Sequence, residues 1–388
     1  MLLSERKTAT LFRPPWSLTL EGGGSLGPVT VAYETFGRYD GHNAVLILHA
    51  LTGDSHVAGR HRPDDPKPGW WDPLVGPGKA FDTGRYHIIC SNVLGGCQGT
   101  TGPSSLNPAT GRPYGPDFPI VTVRDMVRVQ KALLDHLGIP RVLAVAGGSL
   151  GGMQALEWAI QFPDAVAGAI PIGANARFHA QGIAWNEVQR RAILADPAWQ
   201  DGRYHGGPGP RRGLAVARML GMITYRSLES MEEQFGRTVR RGLDDSPWQD
   251  FGPHFSVETY LEHQGETLVQ RFDANSYLYL SKAMDLHDVS RGFPSYAGAL
   301  ARIQARMLVV GIRSDLLFPP QQQRRLTDDL RSAGVDVRYL EMDSPWGHDA
   351  FLMDHHLLAP AIIGFLAELS QAEAAGQKAT AGKRRSGA

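Results

Sequence analysis

Apolar residues recur along this chain with two different periods, and the switch between them divides it into elements. Leu18-Thr19-Leu20, a turn at Gly22-Gly23-Gly24 and the run Val29 to Phe36 (VTVAYETF) predict a hairpin. Solid apolar runs at Ala44 to Leu48 (AVLIL), Tyr86 to Cys90, 141–146 (RVLAVA) and Ala165 to Ile172 predict buried strands. Residues 125–137 (DMVRVQKALLDHL) repeat every three to four positions instead. That places Met126, Val129, Leu133 and Leu137 on one helical face, stopped by Gly138 and Pro140. A second helix is predicted at 151–162. From about 174 to 296 the strand pattern disappears and segments such as GLAVARMLGMITY and EEQFGRTVRRGL have helical spacing. Alternation returns at Arg306, with strand MLVVGI, a helix over 321–333, strand VDVRYLEM (Val335 to Met342) and a helix over 349–368.

Strand and helix alternating on both sides of one insertion predict a doubly wound, mostly parallel sheet with right-handed crossovers. The expected core comprises residues 10–173 and 297–368, with a helical lid over 174–296. The end of the chain, 371–388, is low in complexity and expected to be a disordered tail. Two turn-rich stretches interrupt the core, 52–84, which carries Trp70 and Trp71, and 94–119. The second is long enough to suggest a functional loop.

Composition narrows the possibilities. The chain has 388 residues, 42% of them hydrophobic, which suits a sizeable core. Lys+Arg and Asp+Glu each total 39, so the formal net charge is zero. Neither a nucleic-acid partner nor a membrane surface is expected from that balance. No uninterrupted apolar run approaches the ~20 residues of a transmembrane helix. The opening MLLSERKTATLFRPPW has no apolar signal-peptide core. The two cysteines, Cys90 and Cys97, fit a reducing, cytoplasmic setting, although their spacing leaves a disulfide open. A metal site of cysteine type would need more ligands. EGGGSLG is not a phosphate loop, because no Lys-Ser/Thr and no helix follow it.

The chemistry-bearing signal is Gly147-Gly148-Ser149-Leu150-Gly151, which matches G-x-S-x-G between a predicted strand and a predicted helix. In that setting the serine occupies a strained turn with its hydroxyl above the sheet, and the fold class is the α/β-hydrolase fold. The alternative is a helix start with a capping serine. A serine hydroxyl needs a base, and the fold expects Ser, then Asp/Glu, then His along the chain, after late strands. Asp315 follows MLVVGI and His348 follows VDVRYLEM, so Ser149, Asp315 and His348 form the expected triad. The oxyanion donors are expected to be the backbone N–H of Leu150 and, from the loop after AVLIL, that of Leu51.

NVLGGCQGTTGPSSLNP, AGGSLGGMQALEWA, ARMLGMITYRS, SDLLFPP and GHDAFL resemble, in this order, the homoserine O-acetyltransferase family, acyl-CoA-dependent enzymes of methionine biosynthesis. The resemblance covers about residues 10 to 368. It implies a ping-pong reaction in which the serine takes acetyl from acetyl-CoA and passes it to the homoserine hydroxyl. It implies that Arg218 pairs with the substrate carboxylate and Asp349 with its amine. Taken alone, Arg218 reads as a surface helix residue and Asp349 as an acid at a helix N-terminus. Succinyl-CoA-dependent relatives tend to carry arginine two residues after the triad aspartate. Leu317 stands there and favours an uncharged acyl donor. The resemblance also implies a homodimer, with Leu214, Met219 and Met222 on a candidate docking face of the lid. No metal or permanently bound cofactor is called for. The competing readings are an esterase with the same triad, transfer to serine, and a catalytically inactive binding module.

Overall fold

The structure is a computed structural model that describes residues 2–239, 251–252 and 254–386. An eight-stranded sheet runs through the molecule. Its strands are β1 (Lys7–Leu11), β2 (Val29–Phe36), β3 (Ala44–Leu48), β4 (His87–Ser91), β5 (Val142–Gly148), β6 (Val166–Ile172), β7 (Arg306–Ile312) and β8 (Val337–Met342). Their spatial order is β1-β2-β4-β3-β5-β6-β7-β8. β2 runs antiparallel to both its neighbours, and every pair from β4 to β8 is parallel. The central strands are solid apolar runs because helices cover both of their faces: β3 and β5 are buried at every position.

The predicted hairpin is replaced by two other pairings. Leu18–Thr19 pairs with Ser25–Leu26 in a small separate sheet, and β2 pairs with β1. The glycine turn does close a hairpin, but its return strand is Ser25–Leu26. The eight-residue β2 gains more by joining the large sheet, where both its faces are covered.

Helix α1 (Val123–His136) starts ahead of its predicted boundary because Thr122 and Asp125 form a reciprocal cap. Thr122 Oγ1 accepts from the Asp125 N–H and Asp125 Oδ2 from the Thr122 N–H. Helix α2 (Leu150–Gln161) follows β5 with only Ser149 between them. Between β6 and β7 the chain passes through α3 (Ala180–Leu194), α4 (Arg211–Tyr225), α5 (Leu228–Gln234), α6 (Ser256–Val269), α7 (Ala274–Asp285) and the short α8 (Tyr296–Leu300). Residues 240–250 of the predicted helical segment EEQFGRTVRRGL and its surroundings lie outside the described residues. Helix α9 (Pro320–Ser332) connects β7 to β8, and α10 (Ala350–Met353) and α11 (His355–Ser386) close the core.

The tail expectation is corrected. α11 runs unbroken to Ser386, and residues 387–388 lie outside the described residues. The extension is rich in Ala, Glu, Gln and Lys, which are strong helix formers. It continues a helix already nucleated by packing. The first part of α11, His355–Ala375, is apolar enough to pass for a membrane span (mean hydropathy 1.3), although no uninterrupted apolar run marks it. Here Leu358, Ile362, Phe365, Leu366 and Leu369 of this helix are buried in the core cluster beside the sheet. Leu214 and Met222 also turn inward, so the apolar positions that α4 leaves exposed are Val216 and Ile223.

Candidate active site

Three strand ends bring the predicted triad together, with Ser149 and His348 in one cavity wall and Asp315 behind His348. Ser149 has φ 59° and ψ −124°, a conformation that L-residues rarely adopt. Such strain costs about 1–3 kcal/mol and persists only where the surroundings enforce it. They do so here: the Ser149 N–H donates to Ile172 O at 2.9 Å, and β5 and α2 leave no space for a looser turn. A Cβ on Gly147 or Gly151 would meet the Leu48 carbonyl oxygen at 2.3 and 2.1 Å. A Cβ on Gly148 would meet the Phe351 ring at 2.5 Å. The glycines let the backbone of β3 and the Phe351 ring approach the elbow. Ser149 makes no side-chain capping bond, so the capping alternative is not realised.

Asp315 follows β7 and is fixed on both oxygens. Oδ1 accepts from the N–H groups of Leu317 and Phe318, each at 2.8 Å, and Oδ2 from His348 Nδ1 at 2.7 Å. An acceptor-only carboxylate fixes the imidazole proton on Nδ1 and leaves Nε2 as the basic atom. Nε2 is buried and has no hydrogen-bond partner among the described residues. Burial opposes charge on His348, but the Asp315 carboxylate and its hydrogen bond outweigh it, and the pKa lies above the ordinary imidazole value.

Ser149 and His348 line the same cavity of about 190 Å³, together with Leu51, Trp70, Arg218, Tyr225, Arg271 and Asp349. That is smaller than the roughly 300–1,000 Å³ of drug-sized sites. A small amino acid fits this volume better than a bulky ligand. Leu150 is the first residue of α2, so its N–H has no acceptor within the helix. Leu51 lies in the loop after β3. His49 braces that loop: its buried ring bonds Ala50 O through Nδ1 at 2.7 Å and accepts the Val93 N–H on Nε2 at 3.0 Å. Gln154 of α2 ties the two sides together, donating to His49 O at 3.2 Å and Leu150 O at 3.1 Å.

The remaining expectations divide. Arg218 and Asp349 meet in the cavity wall. Among the described residues Arg218 forms no ion pair, its guanidinium lying 5.6 Å from the centre of the Tyr225 ring. Asp349 stands at the N-terminus of α10, as the helix-acid alternative has it, although its side chain makes no capping bond. Its pKa is raised by burial, against the pull of Arg218, His348 and Arg226. Leu317 does not line the cavity. Its N–H is drawn onto Asp315, and its side chain is buried in the apolar cluster that holds Phe318 and Phe178. The segment 94–105 likewise does not line the cavity but supports it from behind, through Gln98 Nε2 on Arg271 O and Cys97 Sγ accepting the Asp273 N–H. Both cysteines are free, and burial pushes the Cys97 thiol up to about 11.

Tyr225, Arg271 and Trp70 were not singled out from sequence. Tyr225 ends α4 with its ring 6.0 Å from that of His348, and Arg271 Nη1 donates to Thr52 O at 2.7 Å. No periodic signal marks them, because each reaches the cavity from a helix end or a loop.

The sheet order, the strained serine after β5 and the Asp315–His348 pair after the last two strands define an α/β-hydrolase. The sequence profile of the alpha/beta hydrolase fold matches residues 43–354. The chain is 63% identical to a homoserine O-acetyltransferase of Symbiobacterium thermophilum, over 96% of this chain and 98% of that one. It is 54% identical to another from Carboxydothermus hydrogenoformans, over 90% and 92%. The chain belongs to the homoserine O-acetyltransferase family. Among solved structures, homoserine O-acetyltransferase from Bacillus anthracis superposes with a TM-score of 0.88 at 32% identity, covering 94% of this chain and 98% of that one. Esterase E22 superposes with a TM-score of 0.86, also at 32% identity, covering 94% and 100%.

Proposed function

We infer that this chain transfers acetyl from acetyl-CoA to the hydroxyl of L-homoserine through an acetyl-Ser149 ester. His348 Nε2 takes the Ser149 proton as Oγ attacks the thioester carbonyl, and returns it to the departing CoA thiolate. The homoserine hydroxyl then gives its proton to the same nitrogen and attacks the ester, and Ser149 regains a proton as it leaves. Asp315 holds His348 and balances its transient charge. The N–H groups of Leu51 and Leu150 receive the carbonyl oxygen as it becomes anionic. Arg218 and Asp349 anchor the carboxylate and the amine of the acceptor.

The observation that carries this reading is the joint placement of Ser149, His348, Arg218 and Asp349 on one small cavity. An acyl-transfer centre beside one anchor of each sign suits a zwitterionic acceptor. The family relationship supports acetyl-CoA as donor. Leu317, buried away from the cavity, would influence the donor only through the shape of the Asp315 turn.

The esterase E22 superposition supports a second reading, in which water resolves the acyl-enzyme. A side-by-side assay with acetyl-CoA and succinyl-CoA, each with homoserine, serine or no acceptor, separates the two. Acetyl-CoA with homoserine should be turned over fastest. Steady CoA release unaffected by any amino acid would reverse the assignment.

We further propose that the protein acts in the cytoplasm as a homodimer through the helical insertion. Val188, Val216, Ile223 and Leu228 are among the exposed apolar residues of that region and would meet a second copy.

A further inference from the structure

Behind the oxyanion loop lies a group of side chains that acyl transfer does not use. Glu34, on β2, is fully buried on the face of the sheet that holds Phe36, Val57 and Cys90. Its Oε2 lies 3.1 Å from His56 Nδ1 and its Oε1 2.9 Å from His61 Nε2. The two imidazole rings are 4.0 Å apart. Both histidines come from the chain that continues the Leu51 loop.

A buried carboxylate needs compensation. One imidazolium with the second ring neutral would supply it in acid, and a second imidazolium would be repelled by the first. Where both rings are neutral, hydrogen bonds alone leave the negative charge in place, and a doubly charged ion held by the same three residues would compensate it there while each imidazole stays neutral.

The geometry allows it. One donor atom from each residue lies within 4.8 Å of the other two. Zinc bonds of about 2.0–2.1 Å in a tetrahedron separate neighbouring ligand atoms by roughly 3.3 Å, so binding would draw the widest of these separations in by up to about 1.5 Å, within reach of side-chain rotation by the two partly exposed histidines. The side chains of His56 and His61 are 16% and 34% exposed while Glu34 is closed off, which leaves a solvent-facing position for a water ligand.

We propose that Glu34, His56 and His61 form a structural binding site for a divalent transition-metal ion, zinc above magnesium or calcium. Two imidazole nitrogens with one carboxylate form a donor set that selects zinc, nickel and copper over hard cations. The ion fastens three segments. β2 supplies Glu34 and the 54–61 loop supplies the histidines. Ser4 brings in the start of the chain through its N–H, which donates to Arg60 O at 2.9 Å, while its Oγ, 3.3 Å from His56 Nδ1, would give up that contact when the nitrogen takes the ion. Trp70, which lines the acyl-transfer cavity, donates to Asp54 O at 3.0 Å, so the site stiffens the back of the cavity without touching the reacting atoms. Asp54 and Arg6 act on His56 from opposite signs, and the Cys90 thiol points to the Asp54 carbonyl rather than into the cluster.

The test uses the full chain, stripped by chelator and dialysed, then titrated with zinc at pH 8, with bound metal measured by equilibrium dialysis. One zinc per chain is expected, with magnesium not competing. Binding should weaken at least about tenfold in His61→Gln and His56→Gln and stay unchanged in His348→Ala, which removes a buried imidazole outside the cluster. Zinc should raise the melting temperature of the wild type but not of His61→Gln, and the rise should shrink at pH 6, where protons compete for the imidazoles. Absence of zinc from the wild-type chain, wild-type binding by both histidine variants, or loss of zinc in His348→Ala would each overturn the proposal.

Discussion

Two regions meet at the cavity and contribute in different ways. The sheet supplies Ser149 and Asp315 after strands held by neighbours on both sides, and His348 after the edge strand β8. The inserted helices supply Arg218, Tyr225 and Arg271, whose positions depend on how those helices pack over the sheet. The two halves interlock at one residue. Gly347 has φ 69°, and a Cβ there would strike Tyr225 O at 2.6 Å and Ser227 N at 2.7 Å. Helix α4 therefore ends against the turn that carries His348. The comparison suggests a division of labour in which the sheet makes an acyl-enzyme and the insertion chooses what receives the acyl group.

Substitutions can break the comparison, and the largest effects belong to the sheet. Ser149→Ala should lower acetyl transfer by about 10⁴-fold or more while leaving the melting temperature near the wild-type value or above it, since the strained serine is not what stabilises the turn. Asp315→Asn should cost about 10³–10⁴-fold in kcat. It should also lower the apparent pKa on the acidic limb of kcat/KM. His348 must be neutral to accept a proton, and Asp315 raises its pKa, so the wild-type limb should lie above the ordinary imidazole value of about 6.5. Activity then rises with pH through that value.

A third substitution sharpens the division. Arg218→Met should reduce kcat/KM for homoserine by about a hundredfold, the equivalent of losing one bidentate charged contact of roughly 3 kcal/mol. The rate of CoA release in the first half-reaction should change little. An equal loss in both half-reactions would show that the insertion shapes the acylation step as well. The smallest effect concerns the elbow. Gly151→Ala places a methyl group 2.1 Å from Leu48 O and should destabilise the chain by about 1–3 kcal/mol, read from chemical denaturation.

What was legible in the sequence follows the same line. Strand ends are periodic features, and a triad tied to them by chain order could be placed residue by residue. The GGSLG turn was legible because only glycine tolerates the approach of the Leu48 carbonyl. Pairing choices were not: the partner of β2 was misassigned to a nearby segment because local turn chemistry does not report how much surface a distant strand will cover. The 371–386 segment looked too plain to fold, yet a helix already packed on the sheet carries such a sequence onward. Arg218 and Asp349 were assigned by resemblance to a family, and Tyr225 and Arg271 were missed, because helix packing leaves no mark in the periodicity of either partner. The direction of the Leu317 side chain could not be read from its place two residues after Asp315, since two backbone N–H groups turn toward Asp315 and carry that side chain into the apolar cluster.

The account rests on Ser149 carrying the acetyl group. Mixing the protein with acetyl-CoA alone and analysing the quenched chain by peptide mass spectrometry tests this most directly. The expected result is rapid release of one CoA per chain, an acetyl group on the peptide containing Ser149, and its disappearance when homoserine is added. CoA release that begins only when homoserine is present, with Ser149 unmodified throughout, would contradict it.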